Sequence, residues 1–405
     1  MTIFPRNKHL KVCMYSSSLL GIWPFIFEEN PTLRQLYQLY SNFMLVYYTF
    51  FIGTAYMKLA ELLRADEIRM DDISANLCIT LIYTITIIRQ IMLRGKGVLK
   101  MIRYIIDTEN KIYAAKDEKV IEAYDRCADL TIKLSKIYLA ILFVITMSYF
   151  IHPLLEGGYF LQKGNETMLI RALPLSSWFP FDEQKYYWWA YAWHVVDACI
   201  GASFVTYTDI LMFSMIVYPT GQLKILDYIL RNFQFYEANV ADGRGDDRAS
   251  YLAFRECISK HRDIIAYVDD FNGSMQNLMI FDFLQSSLQI ASILTQVFGN
   301  EITLVLLSFV GTFFVGMILR LILYYYFANE VLILSVGLAG AIWDSGWCVQ
   351  TPRVKYMMVV FMQRAQKSLK LFIGPFGVMS LQAFLSVSFA EPSIRVIRFN
   401  FRLRS

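Results

Sequence analysis

The chain has 405 residues, 56% of them hydrophobic and only 18% charged, with a mean hydropathy of +0.40, where an ordinary soluble domain carries about a quarter charged residues. A formal charge of +4 is too small a surplus for a nucleic-acid surface, and a 16% aromatic content excludes a low-complexity chain. Six cysteines at 13, 78, 127, 199, 257 and 348 show no CxxC pair and no metal-ligand spacing, so neither a disulfide framework nor a bound metal is expected.

Residues 1–35 are mixed, with Arg6, Lys8, Lys11 and the pair Glu28-Glu29, and carry no cleavable signal; they are expected to remain in the mature protein. A spanning helix needs about 20 mostly apolar residues. Six stretches meet this clearly: 36–59, 73–93, 132–155, 187–218, 275–298 and 302–328. A seventh, 374–398, is weaker because Ser380, Gln382, Ser386, Ser388 and Glu391 interrupt it. The connections are unequal. Loop 219–274 opens on Tyr218-Pro219-Thr220-Gly221 and then shows helical spacing of Leu223, Leu226, Ile229, Leu230 and Phe233. After a flexible connector at 242–246, the run from Tyr251 to Phe271 repeats that spacing, and 354–372 does the same ahead of the seventh span. These stretches predict amphipathic helices that extend the fourth and fifth spans out of the membrane and pack on each other.

Basic residues in the loops set the expected orientation. The N-terminal arm and loops 94–131, 219–274 and 329–373 hold 24 Lys and Arg, against 9 in the other loops and the C-terminal tail. The N-terminus is therefore expected inside and the C-terminus outside. Asn165-Glu166-Thr167, a glycosylation sequon, falls on the predicted outer side, whereas Asn272-Gly273-Ser274 falls on the inner side and is discounted. This orientation opposes a G-protein-coupled receptor. Tyr124-Asp125-Arg126 imitates part of that family's third-helix motif but precedes the third span, and it reads as a solvated helix face.

No catalytic pattern stands out: there is no phosphate-binding glycine loop, no GxSxG and no HExxH, so no enzyme is expected. His194 and Asp197, three residues apart on the fourth span, read as a polar pair or a ligand contact. Charges within spans are more informative, because each costs roughly 2.5–3.5 kcal/mol at a helix centre. Asp209, Asp282 and Arg320 all lie roughly 10–15 Å above the inner boundary at about 1.5 Å per residue. They predict a buried network across the fourth, fifth and sixth spans, with Arg320 paired to Asp282, Asp209 or both.

The last third of the chain carries further motifs: Tyr325-Tyr326-Phe327-Ala328-Asn329-Glu330, then Ala341-Ile342-Trp343-Asp344-Ser345-Gly346-Trp347, then Met362-Gln363-Arg364-Ala365-Gln366-Lys367, then Ser380-Leu381-Gln382-Ala383-Phe384-Leu385. Their order and spacing resemble the insect odorant receptor family. Tyr218-Pro219 with Gly221-Gln222-Leu223, and His261 with Ile264, Tyr267 and Asp269, fit that family's second inner loop. The resemblance implies an all-α membrane protein with seven transmembrane helices, an inner N-terminus and a helical cytoplasmic anchor. It divides the chain into a six-helix bundle over 1–328, anchor helices over 329–373, and a pore-lining seventh helix with its tail over 374–405. It also implies an odorant-specific subunit of a tetrameric ligand-gated cation channel, assembled with a shared co-receptor in the plasma membrane of olfactory sensory neurons, with no cofactor. The compact 219–274 loop suits an odorant-specific subunit better than the co-receptor. The alternatives are a metabotropic seven-helix receptor and a gustatory-type channel, although the gustatory Thr-Tyr…Gln-Phe ending is absent.

In that family odorant binds among the outer halves of the second, third, fourth and sixth helices. The corresponding residues here are Ile79, Thr80 and Tyr83; Met147 and Ile151; Trp193, Val196 and Ile200; and Phe309, Phe313 and Phe314. Their chemistry predicts a small, uncharged, mostly apolar volatile. On the seventh span, Gln382, Ser386, Ala390, Ser393 and Ile397 share one helical face. Small or polar residues ending at one bulky apolar side chain suit a water-lined path closed by dewetting. Ile397 is the expected constriction, with Ile394 beside it. The departure from the family is Glu391-Pro392 followed by Arg395, Arg398, Arg402 and Arg404, which crowd the outer end of a cation path.

Overall fold

A computed structural model describes residues 7–23, 25–27, 30–65, 70–156, 158–163, 166–240, 247–299, 304–374 and 377–383. Among these, six helices carry the predicted spans: α2 (Pro31–Arg64), α3 (Met70–Leu93), α5 (Glu118–Glu156), α6 (Tyr187–Arg231), α8 (Asp247–Gly299) and α9 (Leu304–Asp344). The shorter helices are α1 (Lys11–Ser18), α4 (Lys96–Ala115), α7 (Phe233–Val240) and α10 (Pro352–Ala365). By length and composition, the helices crossing residues 31–64, 75–93, 118–155, 187–231 and 310–344 could each traverse a bilayer. The seventh predicted span enters as a helical turn at 381–383, and its remainder lies outside the described residues.

Local chemistry explains the helix starts. Asn30 caps α2, its Oδ1 accepting the backbone N–H of Thr32 at 3.2 Å and of Leu33 at 3.3 Å, with Pro31 at the first helical position. Asp117 does the same for α5 through Lys119 and Val120. Between α4 and α5 the chain turns at Lys116, held in the left-handed region at φ 56°. α4 buries Val98, Met101, Ile102, Ile105, Ile106 and Glu109, a stripe at steps of three and four that lays it against α8.

α6 is the central post. It packs against α9, α5, α8 and α3, and nearly every residue from Phe204 to Gly221 is buried. Pro219 sits inside it, where a missing N–H would leave the carbonyl of Met215 without its helical partner. The Tyr267 hydroxyl, from α8, donates to that carbonyl at 3.0 Å. His9 Nε2 donates to the neighbouring carbonyl of Ser214 at 2.8 Å. The helix therefore runs on unbroken for 45 residues, and α8 runs for 53. Tyr104, Tyr218 and Tyr267 close ring against ring beside the proline, with centroids 4.9–6.2 Å apart.

At one end of the bundle, which we call the base, α1, α4, α7, α10 and the lower halves of α5, α6, α8 and α9 form a second layer. Its core is aromatic: His261 stacks on Phe361 at 4.5 Å, and Phe254 meets both Phe361 and Phe233. The N-terminal arm is tied onto it. Glu109 accepts the backbone N–H groups of Lys8 and His9 and the Tyr124 hydroxyl, while Lys8 Nζ lies 2.9 Å from Asp129 and 3.3 Å from Asp125. This corrects the reading of Tyr124-Asp125-Arg126 as a solvated face. Tyr124 is buried, Asp125 is held by Lys8 and Tyr113, and only Arg126 is largely exposed. Asn272, the discounted sequon, clamps the chain after α10: its amide donates to Lys370 O at 2.8 Å and its Oδ1 accepts from Phe372 N at 3.0 Å.

The opposite end carries the exception to an all-helical chain, an antiparallel hairpin of β1 (Tyr159–Lys163) and β2 (Glu166–Ile170), with Tyr159 opposite Ile170 and Lys163 opposite Glu166. The segment after it folds back over the bundle. Trp178 N donates to Thr54 O at 3.0 Å, and Asn76 donates to Ser176.

Candidate functional site

A cavity of about 120 Å³ lies between α3, α5, α6, α8 and α9, toward the hairpin end. Its walls are mostly apolar: Ile79, Ile82 and Tyr83 from α3, Leu142, Ile145 and Tyr149 from α5, Ala198, Ala202 and Val205 from α6, and Phe313, Gly316 and Met317 from α9. Leu175, from the segment after the hairpin, also reaches it. Small residues on α6 make the room. A Cβ at Gly201 would meet the Tyr83 ring at 2.8 Å, so the missing side chain lets Tyr83 lie flat against α6. Tyr83 is further fixed by Tyr48 and Phe51 of α2, at centroid distances of 5.7 and 5.6 Å.

The floor is polar. Tyr138, Asp209 and Arg320 reach the cavity from below, and Gln285 and Gln289 face it from α8. Beneath lies a closed cluster of four charges. Asp209 Oδ1 is 2.6 Å from Arg89 Nη2, and its Oδ2 is 3.7 Å from Arg320 Nη1. Asp282 Oδ1 lies 3.3 Å from Arg89 and 3.4 Å from Arg320. The Tyr138 hydroxyl donates to Asp209 Oδ2 at 2.6 Å, Tyr324 donates to Oδ1 at 3.1 Å, and Arg320 Nη2 donates to Ser286 at 2.7 Å. The four charged side chains are 0–5% exposed. Two cations and two anions cancel, which is the condition under which such burial is tolerable. The cluster pins α3, α6, α8 and α9 together at one depth.

The structure thus brings Asp209, Asp282 and Arg320 together and adds Arg89, which the sequence reading missed. Its signal was present, since Arg89 lies within the second predicted span near the same depth as the other three. The glutamines were also legible as a stripe: Asp282, Gln285, Ser286 and Gln289 follow at steps of three, one and three along one face of a spanning helix.

Among the predicted ligand contacts, Ile79, Tyr83 and Phe313 line the cavity. Thr80 is buried but turned to Asn76, to which its hydroxyl donates at 3.3 Å. Met147 and Ile200 are half-buried against the core beside the cavity. Ile151, Trp193, Val196 and Phe314 require correction, because they are 42–52% exposed on the outer faces of their helices. Each residue turns a helix by about 100°, and a choice made by depth along a span does not fix that phase. The side chain of Phe309 lies outside the described residues. So do Asn165 and the positions expected to form a gate, Ser386, Ala390, Ser393, Ile394 and Ile397; Gln382 is described and exposed.

His194 and Asp197 do not act on each other. His194 Nε2 is 2.6 Å from Ser177 Oγ, and Asp197 accepts from the Tyr47 hydroxyl at 2.6 Å. His194 ties the segment after the hairpin to α6 and Asp197 ties α2 to α6, while His194 Nδ1 and Asp197 Oδ2 have no hydrogen-bond partner among the described residues. Among the described residues, no three of His, Cys, Asp and Glu are placed to hold a metal ion.

A family model described as 7tm odorant receptor matches residues 69–389. Odorant receptor Or2 of Anopheles gambiae is 25% identical over 144 residues, which is 35% of this chain and 38% of that protein. Odorant receptor 10 of Aedes albopictus is 26% identical over 170 residues, covering 41% and 43%. The chain thus spans about two-fifths of the length of these curated relatives. The insect olfactory receptor OR5 from Machilis hrabei in complex with eugenol superposes with a TM-score of 0.78 at 14% identity, over 97% of this chain and 98% of that one. A second structure of that receptor gives 0.73 at 15%, over 96% and 97%. At such identities the likeness is one of fold: seven membrane helices.

Proposed function

The chain belongs to the 7tm odorant receptor family, and from that premise we propose that it is the odorant-specific subunit of a heteromeric ligand-gated cation channel. As a family member it is a multi-pass membrane receptor. The finer reading is that a small, uncharged volatile enters the cavity among α3, α5, α6 and α9, and that its binding opens a pore shared with a co-receptor. The observation that carries this reading is the cavity itself, a mostly apolar space seated directly on a buried charge cluster that joins four helices. A ligand touching Tyr138 or Arg320 would press on the group that fixes the helices' mutual positions.

Assembly has support in the base. Trp343, Val349 and Tyr356 are 67–77% exposed there, with Val359 and Val360 beside them on α10. Apolar exposure of that kind, beyond the predicted spans, suits burial against other subunits. The N-terminus is taken as cytoplasmic and the hairpin as extracellular, with Asn165 carrying glycan. The seventh helix lines the pore through Gln382, Ser386, Ala390 and Ser393, closed near Ile394 and Ile397.

The deciding experiment expresses the chain with and without a co-receptor and records ligand-evoked current while G-protein signalling is blocked. Current that needs the partner and survives the block is expected. Current from this chain alone, or current abolished by the block, would overturn the heteromeric channel reading.

A further inference from the structure

Two buried amides on the cavity wall carry side-chain atoms that have no hydrogen-bond partner among the described residues. Gln285 is 1% exposed, and neither its Oε1 nor its Nε2 has a hydrogen-bond partner; Gln289 is 7% exposed, and its Oε1 also has none. Both line the cavity. They stand one helical turn apart on α8, close enough for one small group to reach both. In the neighbouring charge cluster Asp209 already accepts from Arg89, Tyr138 and Tyr324, and neither glutamine is hydrogen-bonded to it. Buried amides in native proteins are normally satisfied, and unpartnered amide atoms on the wall of a mostly apolar cavity point to something that enters it.

We infer that Gln285 and Gln289 form a polar subsite selecting a neutral hydroxyl, so that this receptor's ligand is a small alcohol or phenol on an apolar body. The inference rests on the reading of this cavity as the odorant site. A hydroxyl both donates and accepts, and so can take the Gln285 Nε2 proton and give its own to an Oε1 of either glutamine. A carbonyl or ether only accepts, leaving those oxygens unpaired. A carboxylate would bring an uncompensated charge against guanidinium groups already matched by Asp209 and Asp282. The volume, about 120 Å³, is close to that of cavities known to hold one benzene ring, roughly 150 Å³, which limits the apolar body to a single ring or a short chain.

Isomer pairs test this without a size difference: 1-hexanol against methyl pentyl ether, and p-cresol against anisole, with hexanoate as the anionic probe. Binding is read as the rise in melting temperature of the purified full chain, and activation as current in cells that also express a co-receptor. The hydroxyl member of a pair should bind at least tenfold more tightly than its ether, and hexanoate should not bind. Gln285→Leu and Gln289→Leu should each bring that ratio below threefold while ether binding stays within twofold of wild type; if either variant fails to reach the surface, methionine at the same position (Gln285→Met or Gln289→Met) takes its place. Ala202→Phe, which fills the cavity, should abolish binding of all probes. Loss of binding in Ala202→Phe with the alcohol preference intact in the glutamine variants overturns the subsite alone. Binding that survives Ala202→Phe, or no binding by any member, overturns the subsite together with the cavity's assignment.

Discussion

The spanning half and the base treat the same residue types in opposite ways. In the spanning half, Phe43, Val46, Phe50, Phe143 and Val144 are more than half exposed along α2 and α5, and lipid would cover them. In the base, Trp343, Val349 and Tyr356 are exposed to a similar or greater degree where the spans predict no lipid, and on the proposed reading other subunits would cover them. Polar groups divide the other way. The spanning half gathers Arg89, Asp209, Asp282 and Arg320 into one neutral cluster, whereas the base spreads ion pairs such as Lys8–Asp129 and Lys100–Asp270 over its surface. An exposed side chain therefore has no meaning until the surrounding medium is known.

Breaking the cluster should have the largest effect. Arg89→Met leaves two buried carboxylates facing one arginine, and removing one partner of a buried pair costs about 3–5 kcal/mol. Surface expression should be nearly lost, and Arg89→Met with Asp282→Leu should restore part of it. Equal loss in the double variant would show that the cluster does not act as a neutral unit. By contrast, the exposed pair Lys100–Asp270 should be worth about 0–1 kcal/mol, and Lys100→Ala should leave expression unchanged.

Next comes the cavity. Gly201→Ala drives a methyl into the Tyr83 ring, and the ring's way out leads into the cavity. Ligand potency should fall at least tenfold while surface level changes little, as a dose–response series with surface labelling would show. Unaltered potency would mean that Tyr83 is not a wall of the ligand site. Smaller again is Tyr267→Phe, which leaves the Met215 carbonyl without a donor and should cost about 1–2 kcal/mol in melting experiments. That loss should vanish when Pro219 is replaced by Ala, which restores the helix's own N–H.

The base should also answer to pH. Burial pushes the imidazole of His9 down to about 4, partly opposed by its bond to Ser214, and burial with the nearby Arg364 pushes His261 down to about 4. The folded chain refuses a proton that the unfolded chain accepts near pH 6.5. Stability is therefore whole above pH 6.5 and declines as pH falls toward 4. A melting series from pH 7.5 to 4.5 should show this decline, and His261→Phe should flatten part of it. A slope that is the same in that variant would remove His261 from the account.

The arrangement of spans was legible because long apolar runs have few alternatives in a membrane chain. So was the continuation of the fourth span beyond Tyr218, since Leu223, Leu226, Ile229 and Leu230 keep helical spacing. That Pro219 lies within the helix was not, because its compensation comes from Tyr267, 48 positions away. The same holds for Tyr124 and Asp125, whose partners Lys8 and Glu109 belong to other elements. Arg89 could have been found by comparing charges at equal depth across all spans, not only those near a span's centre. The cavity wall was half legible: composition and depth led to Ile79, Tyr83 and Phe313, but the rotational phase that turns Trp193 outward is set by packing.

α6 and α8 are each one unbroken rod, about 68 and 80 Å long at 1.5 Å per residue. Each lines the cavity near one end and the aromatic core of the base at the other. Stiff rods do not absorb a push in their middle; they tilt. A displacement at Ala202 or Gln285 would therefore be carried along the rods to Leu230 and Phe254, without any loop between. The hydroxyl of Tyr267 and the ring of Pro219 sit where the two rods touch. They are the bearing about which such a lever would turn.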